Sequence, residues 1–529
     1  MVEEVSSRSM TPMAQAARRL QAFWCEPAAT RRLAVIAFVL GALVMLAYRP
    51  WRQFEAGDTA VYDYIAQSIL RGQMPYRDVV DIKGPLGPYL SAAAIAAGRA
   101  VGLRDILAVR FFHLLMVGLL SAVTYLVGES YLRNRLAALI AFLIPLLPEH
   151  FALMTITGTQ PKLPMILFGM LSLLLIARDK PFWAGLCSML ACLCWQPGLM
   201  FTGTAVLICS RYLTSWRDGR ALKVMAGALI PLAIVLAYFY ARGALADLWA
   251  WAITYNFSVF GPEAKSGLSQ AITRLWQIII RVFRYDRPLV ILSLLGLLMF
   301  VGTRLRDKLK GRAALAAPDL FRDAAAIPAL VYLAFCMINF QASADLIPFF
   351  PFIGLFAGWF FVEAGRLAAT IATRWLKRGP RLWQREGLIP AVAACAILLV
   401  LTARVATYRI EGRTLQDQDE EFKTLAALLA PDDKIFVHGT VEILVLLNRP
   451  NLNPYVLLDW DADNFAGSRH AGGWEAIMDE MKAQAPKLVA ITRLRAVTHR
   501  ADFEQWVEQD YDKLELFKYD RVYIKKGDK

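Results

Sequence analysis

A polytopic α-helical membrane protein with a small soluble α/β domain at its C-terminal end is the fold class this sequence predicts. Three observations carry it. Of 529 residues, 57% are hydrophobic and only 19% charged, against about 45–50% apolar and about 25% charged in soluble domains. Apolar runs such as Leu33–Leu40 and Leu289–Leu295 recur along most of the chain. The Lys and Arg residues behind the net charge of +14 collect in short links between those runs: Arg211–Lys223, Arg304–Arg312 and Arg366–Arg385. That distribution is the positive-inside pattern, so the basic excess reports topology and excludes a nucleic-acid partner.

The elements follow in order. Residues 1–32 begin polar, turn basic (Arg18, Arg19, Arg31, Arg32), and no small-residue cleavage site follows Leu33–Tyr48. This reads as a cytoplasmic N-terminal segment before an uncleaved first span. Residues 33–406 have room for about eleven spans, each needing roughly 17–25 mainly apolar residues. After the first, they are expected at 106–128, 135–148, 162–178, 182–196, 197–211, 221–241, 288–304, 324–341, 346–363 and 388–405, with Gln196-Pro197-Gly198 as a tight turn. Counting Leu86–Val101 as a span would send the basic link Tyr131–Arg135 and every later one to the outer side. Its Pro85, Pro88 and small residues suit a helix lying in the outer interface. Residues 50–105 therefore read as one outer loop, and Ala244–Arg287, rich in Trp and Phe, as a second.

From 407 to 529 acids outnumber Lys and Arg by 22 to 17. Strands are expected at Lys434–Val437 and Leu488–Ile491, helices at Glu420–Leu429, Val441–Leu447 and Trp474–Ala483, and a closing hairpin over Leu514–Ile524. The alternation predicts an extracytoplasmic α/β domain. Cys25, Cys187, Cys192, Cys194, Cys209, Cys336 and Cys395 all fall in spans or cytoplasmic stretches, so no disulfide framework is expected. The five His are scattered and no metal site or cofactor is expected. Asp459, Asp461 and Asp463 read as a solvated acidic loop, Asp345 as an acid facing the interface, and the Asn256-Phe257-Ser258 sequon as chance.

Functional weight falls on the first outer loop. Asp58, Asp78, Asp81 and Lys83 stand directly after the first span, and ionisable groups at a membrane surface are costly enough to mark a functional site. Carboxylates and cations above apolar helices suit transfer of a group from a polyprenyl phosphate carrier. A base takes the proton of the acceptor hydroxyl, and cations stabilise the departing phosphate. A lipid or solute transporter is the rival class, but transporters concentrate ionisable groups at the bilayer midplane between paired repeats.

The pattern Gly57-Asp58-x-x-x-Tyr62, Gly72-x-x-Pro75-Tyr76-x-Asp78, Asp81-x-Lys83-x-Pro85-Leu86 resembles the first outer loop of the C-superfamily (GT-C) glycosyltransferases. Within them it is most similar to the bacterial protein-mannosyltransferase and lipid A aminoarabinose-transferase group. The resemblance implies a membrane enzyme of the bacterial inner membrane that takes a hexose or pentose from a polyprenyl-phosphate-sugar donor. The acceptor would be an exported lipid, glycan or protein. It implies Asp58 as catalytic base, Lys83 and Arg110 as cations for the donor phosphate, and Tyr62, Asp78 and Asp81 as residues shaping the site. Thr59 and Thr159-Gln160 stand where many relatives carry acids; Gln160 can orient a hydroxyl but not deprotonate it. A cysteine replacing Arg133 is expected to react with impermeant thiol reagents only from the cytoplasmic side; labelling from outside would overturn the interfacial placement of Leu86–Val101.

Overall fold

The computed structural model describes residues 26–210, 218–260, 267–309, 317–338, 340, 342–375, 387–492, 497–514 and 521–527. The basic links expected at 211–223, 304–312 and 366–385 fall partly outside the described residues, and Cys25 lies wholly outside them.

Helix α1 (Pro27–Ala47) opens the membrane part. A 3₁₀ turn, Pro50–Arg52, then leads into the outer loop, which holds α2 (Asp58–Leu70) and α3 (Leu86–Ala100). Helices α4 (Asp105–Leu132), α5 (Arg135–Leu143), α6 (Glu149–Ile156), α7 (Lys162–Ala177), α8 (Pro181–Cys194), α9 (Leu199–Cys209) and α10 (Arg220–Ala241) follow. The second outer loop contains α11 (Leu245–Trp249), running directly into a π-helical stretch over Ala250–Phe260, and α12 (Leu268–Arg281). Helices α13 (Arg287–Leu309), α14 (Ala317–Ile338), α15 (Phe350–Trp375) and α16 (Leu388–Thr407) complete it.

These helices lie where the apolar runs predict them, yet not all are full spans. Six described helices are long and apolar enough to cross a membrane; α5 and α6, bent by 69° at their junction, make a seventh if counted as one. The bend sits at Pro145 and Pro148, which remove backbone donors from the ladder. Helices α7, α8 and α9, with 16, 14 and 11 residues, are shorter than the roughly 20 a perpendicular crossing needs. Helix α3, at 15 residues, is not among the spanning candidates and packs on α2, α4 and α8.

Beyond α16, helix α17 (Leu415–Ala427) begins with a capping box in which Thr414 and Asp417 satisfy each other's backbone N–H. A four-stranded mixed sheet then forms: β1 (Ile435–His438), β2 (Leu488–Ile491), β3 (Tyr511–Lys513) and β4 (Val522–Lys525), in the spatial order β1-β2-β4-β3. The first two pair in parallel, Ile435 opposite Leu488 and His438 opposite Ile491; the other pairings are antiparallel. Both parallel strands are wholly buried, which explains their apolar sequence, broken only by His438 at the end of β1. The anticipated hairpin starts earlier than expected, at Tyr511, and residues 515–520 between its strands lie outside the described set.

The ends of α1 and α16 emerge side by side. The rings of Tyr48 and Tyr408 are 4.7 Å apart, and Gln53 donates to the Tyr408 hydroxyl at 2.8 Å. The sheet and the outer loop thus occupy the same end of the helices, and they touch. Gln418 exchanges two hydrogen bonds with the Glu55 backbone (3.0 and 2.8 Å), and the Asn451 N–H donates to the Tyr64 hydroxyl at 2.7 Å.

Close helix packing rests on glycine at α8 and α10, where a Cβ on Gly185 would collide with the Val224 carbonyl and one on Gly227 with that of Phe182. Gly185→Val is expected to force these helices apart and destabilise the protein by about 1–3 kcal/mol or more, read as a lowered melting temperature in detergent; an unchanged melt would contradict this packing.

Candidate active site

The outer loop is built from turns that present its polar side chains. Gly57, at φ 67°, makes the turn before α2, a conformation disfavoured for residues with a Cβ. Asp58 is then the first helical residue, solvent-exposed at the positive end of the helix dipole, where a carboxylate is favoured. Tyr62, one turn on, is buried beneath it.

The second half of the loop is pinned more heavily. Asp78 accepts the Met74 N–H at 2.7 Å and a bidentate pair from Arg77 at 2.8 and 3.0 Å; the Arg77 guanidinium holds its carboxyl below the usual range. Asp78 therefore closes the 74–79 turn rather than facing a substrate. Tyr76, held at φ 71° with its ring buried, donates its hydroxyl to the Lys83 carbonyl at 2.6 Å. The Asp81 Oδ1 accepts the Lys83 N–H at 3.0 Å, an Asx-type turn. From across the site, Gln196 and Asn256 both donate to the Ile82 carbonyl, at 2.9 and 2.7 Å. Gly84 lies against the Leu193 carbonyl with no room for a Cβ. Every neighbour of Lys83 is thus fixed, and its ammonium sits 5.2 Å from the centre of the Trp195 ring, within cation–π range.

One cavity of about 140 Å³ collects these groups. Its floor is Asp58, Tyr62, Asp81 and Lys83 from the first outer loop; its wall is Trp251, Tyr255 and Phe260 from the π-helical stretch; its roof is Asp459 and Trp460 from the segment preceding helix α19 (Ala462–Arg469). Helix α18 (Glu442–Leu447) lies between β1 and that roof in sequence. The Tyr255 hydroxyl ties wall to roof, donating to the carbonyls of Trp460 (2.8 Å) and Asp459 (3.2 Å). Asp81 is 5% exposed, and its Oδ2 has no hydrogen-bond partner among the described residues. Burial pushes its carboxyl up to about 6, against the opposing pull of the Lys83 N–H and ammonium. Burial likewise lowers Lys83, helped by the charge of nearby Lys162 and opposed by Asp58, Asp345 and Asp81. Tyr62 is held neutral by burial and by the charges of Asp81 and Asp58.

No family model matches this sequence, and no curated protein does. Among solved structures, ArnT from Cupriavidus metallidurans bound to undecaprenyl phosphate superposes on 93% of this chain and 97% of its own, with TM-score 0.59 and 14% identity. Its apo state gives 0.56 at 13% identity over the same shares. The oligosaccharyltransferase AglB from Archaeoglobus fulgidus, in complex with an inhibitory peptide and a dolichol-phosphate, gives 0.53 at 13% identity over 87% of this chain and 69% of that one.

The chain shares its fold with ArnT and AglB.

On this framework, four of the seven residues singled out from sequence (Asp58, Tyr62, Asp81 and Lys83) share the cavity. The other three do not line it. Arg110 is fully buried and spends its guanidinium on the carbonyls of Pro50 (2.8 Å), Gln53 (2.6 Å) and Thr157 (2.9 Å) and on the Glu55 carboxylate (2.7 Å). It serves as a brace under the loop, which corrects its expected role as a phosphate cation. Asp78 closes its turn. Gln160 is buried, and its N–H donates to His113 Nε2 at 3.2 Å.

Beneath the cavity lies a pair of acids that sequence reasoning passed over. Glu55 and Asp63 are both fully buried around Gly158, where a Cβ would meet Thr59 and Asp63 Oδ2 at 2.8 Å. Burial, then the Asp63 charge, pushes Glu55 up, with Arg110 opposing. Asp63 is raised by burial and held back by hydrogen bonds from Thr159. The acidic roof segment also departs from expectation. Asp463 is wholly buried and accepts the His499 N–H, while Asp459 lies 3.5 Å from the buried His438 ring. Asn256 of the sequon is engaged inside the protein. Asp345, expected at the interface, is buried in an ion pair with Lys162 at 2.8 Å. The one available signal for that pair was a lysine opening an otherwise apolar helix. Among the described residues, no group of three or more His, Cys, Asp or Glu is arranged to hold a metal ion.

The Asp81 environment sets a pH dependence. An acid whose folded pKa is raised from 3.8 to about 6 destabilises the fold while ionised, and the penalty fades as pH falls through 6 toward 4. Asp81→Asn is expected to raise stability at pH 7.5 by about 1–3 kcal/mol and to flatten the wild-type rise in melting temperature between pH 7.5 and 5. Equal pH profiles for the two proteins would show that Asp81 is not the titrating group.

Proposed function

We propose that this protein transfers a sugar from a polyprenyl-phosphate-linked donor to an exported acceptor at the outer face of the bacterial inner membrane. The observation that carries the reading is the single cavity uniting Asp58, Asp81 and Lys83 at the end of the helices where the first and last long spans emerge. The structural neighbours bound to undecaprenyl phosphate and to dolichol-phosphate support a lipid-linked donor. In this reading α7, α8, α9, α14 and the bent α5–α6 pair also traverse the bilayer, for about eleven passages. Residues 1–32 are cytoplasmic, and 407–529 form the extracytoplasmic domain that roofs the site.

The chemistry follows from the placement. The acceptor hydroxyl oxygen attacks the anomeric carbon of the donor sugar, and its proton passes to the Asp58 carboxylate, the exposed acid of the cavity. The bond from that carbon to the phosphate oxygen breaks, and the electron pair leaves on the phosphate, where Lys83 supplies positive charge. Asp81, with one oxygen fixed to the loop and one facing the cavity, orients sugar hydroxyls. Trp251, Tyr255 and Phe260 offer the apolar faces on which sugar rings stack. A hexose or pentose fits this lining; the acceptor is a lipid, glycan or protein.

Asp58→Asn is expected to lower turnover by about 10²–10⁴-fold, the usual weight of a general base, and Lys83→Ala to abolish it, both in folded, membrane-inserted protein. Mass spectrometry of envelope lipids and glycans with and without the protein supplies the assay. Wild-type transfer by purified Asp58→Asn would refute the mechanism.

A further inference from the structure

Trp195 carries a second cation. The Lys162 ammonium lies 4.8 Å from the centre of the same ring that Lys83 approaches to 5.2 Å, so the two ammonium groups are at most about 10 Å apart. Lys162 is the first residue of α7, where a positive charge opposes the helix dipole. Its side chain is 8% exposed, as is that of its partner Asp345, and Asp345 Oδ1 is the only hydrogen-bond acceptor of Nζ among the described residues. An ammonium has three N–H donors, so two remain. Asp345 is itself fixed, with Oδ2 accepting the Ala342 N–H at 3.2 Å and its carbonyl accepting the Tyr332 hydroxyl at 2.8 Å. A buried ion pair contributes little net stability compared with apolar residues of the same volume. Neither helix formation nor packing explains why a lysine is held here.

We propose that Lys162 is a second phosphate-binding cation, anchored by Asp345 and matched to the leaving phosphate rather than to the intact donor. The inference rests on the donor class proposed above. The donor phosphate is a diester with one negative charge. When the bond to the sugar carbon breaks and its electron pair passes to oxygen, the phosphate becomes a monoester with two. Lys83 faces Asp58 and Asp81, which already draw on its charge. Lys162 supplies the second positive charge at the same Trp195 ring. One phosphoryl group accepting from both ammonium groups at the ~2.8 Å of charge-assisted hydrogen bonds bridges nitrogens up to about 8 Å apart, a separation inside the upper bound that the shared Trp195 ring sets. Lys162 thereby favours the state in which charge has developed, which is the condition for accelerating the transfer step.

The test uses full-length purified protein in detergent at pH 8, where a phosphate monoester is dianionic. The probes are farnesyl phosphate and its methyl ester, a monoanionic diester. Lys162→Gln is expected to weaken farnesyl phosphate binding by about tenfold to a hundredfold, while the methyl ester changes less than threefold. Lys162→Gln/Asp345→Asn, which leaves no orphaned acid, shows the same selective loss with the wild-type melting temperature. Lys83→Ala weakens both probes. Unchanged monoester binding in the double variant, or a parallel loss of both probes, overturns the assignment of Lys162. Failure of the wild-type protein to bind either probe overturns the donor class, and this inference with it.

Discussion

The Arg110 guanidinium organises the rest of the structure. It lies in α4, and its bonds reach the exit of the first span at Pro50 and Gln53, the bend after α6 at Thr157, and the Glu55 carboxylate. Glu55 in turn meets Gln418 through its backbone. Residues 50–55 and Thr157 thus converge on one fully buried cation of a third stretch, and Gln418 joins them through Glu55. Removing one member of such a pair strands the other charge, typically at about 3–5 kcal/mol. The cavity above has floor and roof in register because both ends of this relay are fixed.

The site divides its polar groups between holding and acting. Asp78, Tyr76, Gln196 and Asn256 spend their hydrogen bonds on the loop backbone around Lys83, while Asp58 and the free oxygen of Asp81 remain turned to the cavity. In the proposed transfer, groups fixed in this way would need no reorganisation, the main electrostatic advantage of an enzyme site over water. The aromatic wall comes from a π-helical stretch, a rare geometry frequent at functional sites, and it aligns Trp251 and Tyr255 toward the roof.

Much of the fold was legible in the sequence because it is periodic. Apolar runs, basic links and Pro or Gly punctuation located most membrane helices to within a few residues, although α14 starts earlier and α15 ends later than expected and α2, α6 and α12 were not anticipated; short apolar runs located β1 and β2. Full crossings were harder to count: α7, α8 and α9 have the composition of spans without the length, and the prolines that bend α5–α6 do not announce the angle. In the cavity, Asp58, Asp81 and Lys83 stood out as a charged cluster in one loop, and Tyr62 entered through the family pattern. Arg110, Lys162 and Asp459 could not. An arginine beside a site looks the same in sequence whether it faces phosphate or carbonyl oxygens. The surroundings of Lys162 come from residue 345, and those of Asp459 from residues 255 and 438. Such long-range pairings leave no periodic trace.

The two hydrogen bonds between Glu55 and Gln418 join residues 363 positions apart. During synthesis the Glu55 N–H and C=O emerge early and acquire these partners only when nearly four-fifths of the chain has been made. The loop carrying Asp58 therefore waits through the insertion of every later helix before its final brace arrives. Contacts of such separation are slow to form, so this loop takes its final position late in folding.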